Sequence, residues 1–108
     1  MGWTVQTLNA TVDAELDEWP PGVRAALTKI VERIEAVGLE RVHEPHVKHI
    51  EGKLWEMRPD ARKVEGRALY VTVTGQRVVI VLAFIKKTRT TPRRKIDLAL
   101  ERARKCYG

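Results

Sequence analysis

The 108-residue chain has a single cysteine, Cys106, one phenylalanine and two methionines. A lone cysteine excludes an intramolecular disulfide framework and suits a reducing compartment. Long apolar runs are missing as well: the longest, Val78 to Ile85, is strand-sized and far short of a bilayer span. The opening Met1-Gly2-Trp3-Thr4 lacks the basic and apolar stretches of a secretory signal, and Gln6 stands where a myristoylation signal needs Ser or Thr. A cytoplasmic protein with no membrane attachment is therefore expected. There is no Gly-rich phosphate loop, no nucleophile elbow, no internal repeat and no low-complexity segment. Length alone predicts one domain spanning residues 1–108.

Acid is scarce where base is dense. The chain holds 20 Lys and Arg against 14 Asp and Glu, for a net charge of +6. Nine of the basic residues fall between Lys86 and Lys105, opposed only by Asp97 and Glu101, whereas residues 1–50 carry more acids than bases. A localised cationic surface beside a strand is what a polyanion-handling site needs; the alternative is a solvated helix face.

Alternation predicts a strand from Trp3 to Leu8. Asn9 or Thr11 caps a short helix carrying Val12, Leu16 and Trp19, broken by Pro20-Pro21-Gly22. Val23, Ala26, Leu27, Ile30, Val31, Ile34 and Val37 form the stripe of a second helix, which Gly38 ends. Leu39 to Lys53 shows no clear period and reads as an ordered loop. Strands follow at Leu54–Arg58, Arg67–Thr74 and Val78–Ile85; Gly75-Gln76 makes a tight hairpin, and the last strand is apolar enough to be buried on both faces. Thr91-Pro92 starts a final amphipathic helix. The order predicts an α+β fold in which a helix hairpin packs on an antiparallel sheet.

Arg93, Arg94 and Lys95 occupy the first turn of that helix, where cations are mildly unfavourable. Such a local conflict points to function, since free helix N–H groups and guanidinium groups together make a phosphate pocket. Glu56 and Arg58 share one strand face, and antiparallel pairing brings Arg58 near Arg67. Two arginines meet only around an anion: either Glu56 in an ordinary ion pair, or a phosphate with Glu56 as proton acceptor. His43, His46 and His49 have irregular spacing for a metal and read as surface-loop residues. One of them could still serve as general acid or base. Trp3 and Trp55 fall on core faces.

Three stretches carry a family resemblance: Gly52-Lys53-Leu54-Trp55-Glu56-Met57-Arg58, then Gly66-Arg67-Ala68-Leu69-Tyr70, then Ala83-Phe84-Ile85-Lys86-Lys87-Thr88 with Thr91-Pro92. In this order they resemble the HigB-like, phage-derived branch of the RelE/ParE toxin superfamily. The resemblance implies the RelE/ParE-like α+β fold and the toxin role of a type II toxin–antitoxin system. It implies ribosome-dependent messenger-RNA cleavage without metal or other cofactor. It also implies a helix-turn-helix, HigA-like antitoxin as partner, through which oligomers form.

Carried onto this chain, the resemblance makes Arg67 and Lys87 the basic residues at the scissile phosphate, and Glu56 or Glu44 the base. Arg58, Lys86, Lys53, Arg93, Arg94 and Lys95 become the phosphate and RNA contacts. The acid is open, because the late Tyr or His of several relatives is replaced here by Arg93 and Arg94. Two further readings stay open: a ParE-like protein that poisons DNA gyrase by docking, and an inactive nucleic-acid-binding module of the same fold.

Overall fold

The computed structural model describes residues 2–107. Strand β1 (Thr4–Thr7) leads into helices α1 (Ala10–Asp17) and α2 (Pro21–Val37), then a 3-10 turn at Leu39–Arg41. Strands β2 (Val47–Glu51), β3 (Leu54–Met57), β4 (Asp60–Ala61), β5 (Val64–Val73) and β6 (Arg77–Lys86) precede helix α3 (Arg93–Tyr107). The α+β class holds. The strand order is β1-β6-β5-β3-β2, with the short β4 also pairing with β5.

Local chemistry sets the helix ends as the sequence suggests. The Asn9 side chain accepts the Val12 N–H at 3.2 Å, Pro21 occupies the first turn of α2, and Gly38 ends α2 at φ +95°. Gly75 and Gln76 both adopt positive φ, which gives the β5–β6 hairpin the twist its strands require.

Two layers of apolar contacts enclose the sheet. Val12, Val23, Leu27, Ile30 and Ile34 of α1 and α2 pack with Met57, Ala68, Tyr70, Val78 and Ile80 on one face. Ala99 and Ala103 of α3 pack with Leu54, Leu69, Val71, Val79, Val81 and Leu82 on the other. This two-sided cover is why Val78 to Ala83 are all buried.

The sheet differs from expectation in two ways. It is mixed, because β1 joins β6 in parallel, with Val5 opposite Val78. Residues 47–51, expected in a loop, form β2. Alternation along it puts Val47 in the α2 layer and Ile50 in the α3 layer, and its register against β3 shifts between His49 and Glu51. A second bulge, in β6, pairs Leu69 with Leu82 but Tyr70 with Ile80. Beside it, the Val81 carbonyl accepts Arg102 Nη1 at 3.0 Å and the Ala83 N–H donates to Glu15 at 3.1 Å. Arg102 also pairs with Glu15 at 2.9 Å. It therefore ties α3 to α1 rather than lying on a solvated face.

Candidate active-site groove

The α3 side of the sheet is apolar under the C-terminal half of the helix and charged beyond its N-terminal end. Alternation places Glu56 on this face, opposite Leu69 on β5 and Lys48 on β2. The same alternation brings Arg67 to this side, opposite Phe84, and Lys86 opposite Glu65. The segment between β6 and α3 folds over these residues.

Glu56 is the centre of the arrangement and is only 3% exposed. Its Oε1 lies 3.6 Å from Arg58 Nε and 3.7 Å from Arg67 Nε, and its Oε2 accepts the Thr91 hydroxyl at 3.0 Å. Both arginine distances are ion-pair contacts too long for hydrogen bonds. Each Nε is accordingly buried without a hydrogen-bond partner. Glu56 is thus the anion between the two arginines that the sequence required.

Arg67 is enclosed rather than presented. Its side chain is 1% exposed; Nη1 donates to Asp60 at 2.9 Å and to the Gly66 carbonyl at 2.6 Å, and Nη2 donates to Glu65 at 3.0 Å. Buried guanidinium groups persist only when so paired. Lys86 is nearly buried as well, with Nζ donating to the Arg89 carbonyl at 2.9 Å and 3.6 Å from Glu65.

Above Glu56 lies a groove of about 250 Å³ whose lining includes Lys48, Glu56, Arg58, Lys86, Arg89 and Thr91. Four cations and one carboxylate thus share a small concave surface. Such a surface can hold a phosphodiester and take a proton from a group beside it. Sequence reasoning missed Lys48 and Arg89 as site residues, and it used Thr91 as a helix start and as part of the family resemblance but not as a site residue. Lys48 was invisible because its strand was. Arg89 is drawn in by the backbone hydrogen bond from Lys86.

Other expected site residues lie elsewhere. Glu44 lines a cavity with Tyr70 and Trp55, on the α1–α2 side of the sheet, so the two candidate bases occupy opposite faces. Lys87 is exposed past the end of β6 and lines a groove against α1 with Thr11, Glu15 and Glu18. Lys53, in the β2–β3 turn, sets its Nζ 4.4 Å from the Tyr107 ring centre. Arg93 forms an ion pair with Glu51 at 2.6 Å and another with Asp97 at 2.8 Å, which answers its unfavourable place in the first turn. These hydrogen bonds hold the Glu51 carboxyl below its usual range and the Arg93 guanidinium above its own. Arg94 is exposed, and Lys95 lies 5.1 Å over the Phe84 ring centre.

His49 lies in β2 rather than in a loop. Its ring packs edge-on against Trp55, and its Nε2 bonds the Gly52 carbonyl at 2.8 Å. Trp55 is 39% exposed, so it is not the core residue its alternation suggested. No cluster of metal-ligating side chains occurs among the described residues, nor does any helix there have the length and apolarity to cross a membrane.

Comparison with known families and structures supplies independent information. The profile of the family described as "Phage derived protein Gp49-like" matches residues 14–104. The fold is RelE-like: it superimposes with a TM-score of 0.58 on a chain of the archaeal RelE-RelB complex from Pyrococcus horikoshii OT3, at 20% identity. The alignment covers 83% of this chain and 100% of that one. No curated protein sequence matches significantly.

Proposed function

This chain belongs to the Gp49-like family of phage-derived proteins, and we propose that it is the toxin of a type II toxin–antitoxin system, a ribosome-dependent messenger-RNA endonuclease. The observation that carries the reading is Glu56: a buried carboxylate at the base of a groove walled by Lys48, Arg58, Lys86 and Arg89. The RelE-like fold supports the toxin role, and the RelE chain was solved in complex with RelB.

Under this reading the groove seats the phosphodiester on Arg58, Lys86, Lys48 and Arg89. Glu56 accepts the proton of the adjacent 2′-hydroxyl. The 2′-oxygen forms a bond to phosphorus, the bond from phosphorus to the 5′-oxygen breaks, and the departing oxygen takes a proton from a wall ammonium group or water. The cations stabilise the charge that builds on the phosphate as it becomes five-coordinate. Arg67 contributes from beneath as a positioning residue, fixing Glu56 and the β4–β5 turn. Arg94 and Lys95 meet the flanking RNA backbone; Lys87 and Lys53 add charge at the periphery.

A cognate antitoxin of the helix-turn-helix, HigA-like kind completes the system, and residues 1–108 form its single toxin domain. Expression in a bacterial host tests the reading: arrested translation with cut transcripts supports it. DNA damage with intact transcripts would instead establish the gyrase-poisoning alternative.

A further inference from the structure

The other face of the sheet carries a cavity with different chemistry. Beyond the end of α2, Trp3, Trp55, Tyr70, Val42 and Val47 surround a space of about 630 Å³, with Glu40, His43 and Glu44 among its lining. Its aromatic groups come from separate elements: Trp3 just before β1, Trp55 on β3 and Tyr70 on β5. Glu40 is committed, since its Oε2 accepts the Trp3 indole N–H at 3.4 Å. Glu44 takes part in none of the ion pairs among the described residues. Arg41 is exposed on the 3-10 turn nearby but does not line the cavity.

A wholly apolar occupant would cover the Glu44 carboxylate and leave it without a partner, which is costly. A hydrated anion would meet two carboxylates and the negative faces of the rings. A planar cation suits both parts, because it stacks on indole and phenol faces and pairs with a carboxylate through parallel N–H groups. We propose that this cavity receives an arginine side chain presented by a protein partner, its guanidinium stacked on Trp55 and paired with Glu44. The chain's net charge of +6 makes general attraction of a cation unfavourable, so binding here is local. The half of the sequence that supplies Glu40 and Glu44 is the half where acids outnumber bases. The inference is independent of the chemistry assigned to the groove on the opposite face.

N-acetyl-arginine amide is the probe, with N-acetyl-citrulline amide as its neutral isostere. The indole N–H resonances of the three tryptophans report directly, with Trp19, buried under α1 and α2, as internal control. Saturable shifts of Trp3 and Trp55 with Trp19 stationary are expected. Citrulline should bind roughly tenfold more weakly, Glu44→Gln should weaken arginine binding by a similar factor, and Trp55→Leu should abolish it. Absence of a saturable shift, equal binding of arginine and citrulline, or unchanged binding by Glu44→Gln would overturn the proposal. Because the probe is read without RNA, its failure leaves the groove's activity a separate question.

Discussion

Thr91 donates a 3.0 Å hydrogen bond from its hydroxyl to Glu56 Oε2, and so joins the segment before α3 to the carboxylate at the base of the groove. The bond holds one oxygen of Glu56 and leaves the other facing Arg58 and Arg67. Thr91→Val keeps the shape and removes the donor. A hydrogen bond to a charged group contributes about 1.5–3 kcal/mol, so transcript cleavage should fall roughly tenfold or more with RNA binding little changed. Thr91→Ser should restore most of the rate. Single-turnover cleavage and RNA affinity, measured on the three proteins, check this.

Arg67 is expected to behave as a residue of the fold. Its removal leaves Glu56 buried with one less cation and frees Asp60 and Glu65, both about half exposed. Breaking a buried pair from one side costs on the order of 3–5 kcal/mol, a large share of a small domain's stability. Arg67→Ala should therefore lower the denaturation midpoint sharply, whereas Arg58→Ala, at a partly exposed position, should lower cleavage with a much smaller loss of stability. Chemical denaturation of both variants separates the two roles.

Gly66, beside Arg67, has no room for a side chain. An added Cβ would lie 2.6 Å from Val23 Cγ1, 3.0 Å from the Pro59 carbonyl oxygen and 3.0 Å from the Trp19 ring. Gly66→Ala should destabilise by about 1–3 kcal/mol through overpacking of α2 against β5, and the same denaturation measurement tests it.

Burial raises the Tyr70 phenol above its ordinary value of 10.0. The folded protein keeps this proton at pH values where the unfolded chain has released it. The stabilisation is thus fully present below about pH 10 and is lost as pH rises from there toward the folded value. Denaturation midpoints should show no loss from this group between pH 8 and about pH 10 and a fall above it, which Tyr70→Phe should make shallower.

Legibility from sequence followed the strength of local signals. The α2 stripe, the Gly75-Gln76 hairpin and the doubly buried β6 were legible because periodicity, turn chemistry and β-branching each pointed one way. β2 was hidden because each of its faces mixes apolar with polar, Val47 with His49 on one and Lys48 with Ile50 on the other, and the parallel pairing of β1 with β6 is a tertiary choice that no short pattern specifies. In the groove, the meeting of Arg58, Glu56 and Arg67 followed from alternation and antiparallel pairing. The burial of Arg67, the diversion of Arg93 to Glu51 and Asp97, and the separation of Glu44 from Glu56 depend on which face and which end of the sheet each element covers.

The most direct test of the central claim is cleavage of messenger RNA on programmed ribosomes by the wild type and Glu56→Gln, mapped by primer extension. Glu56→Gln keeps the shape and can still accept the Thr91 hydrogen bond but lacks a carboxylate base. General-base removal costs about 10²–10⁴-fold, so the account predicts cut transcripts with the wild type and a loss of that order with Glu56→Gln, at unchanged ribosome binding. Equal cleavage by both proteins would contradict the assignment of Glu56, and intact transcripts with active wild-type toxin would contradict the endonuclease reading itself.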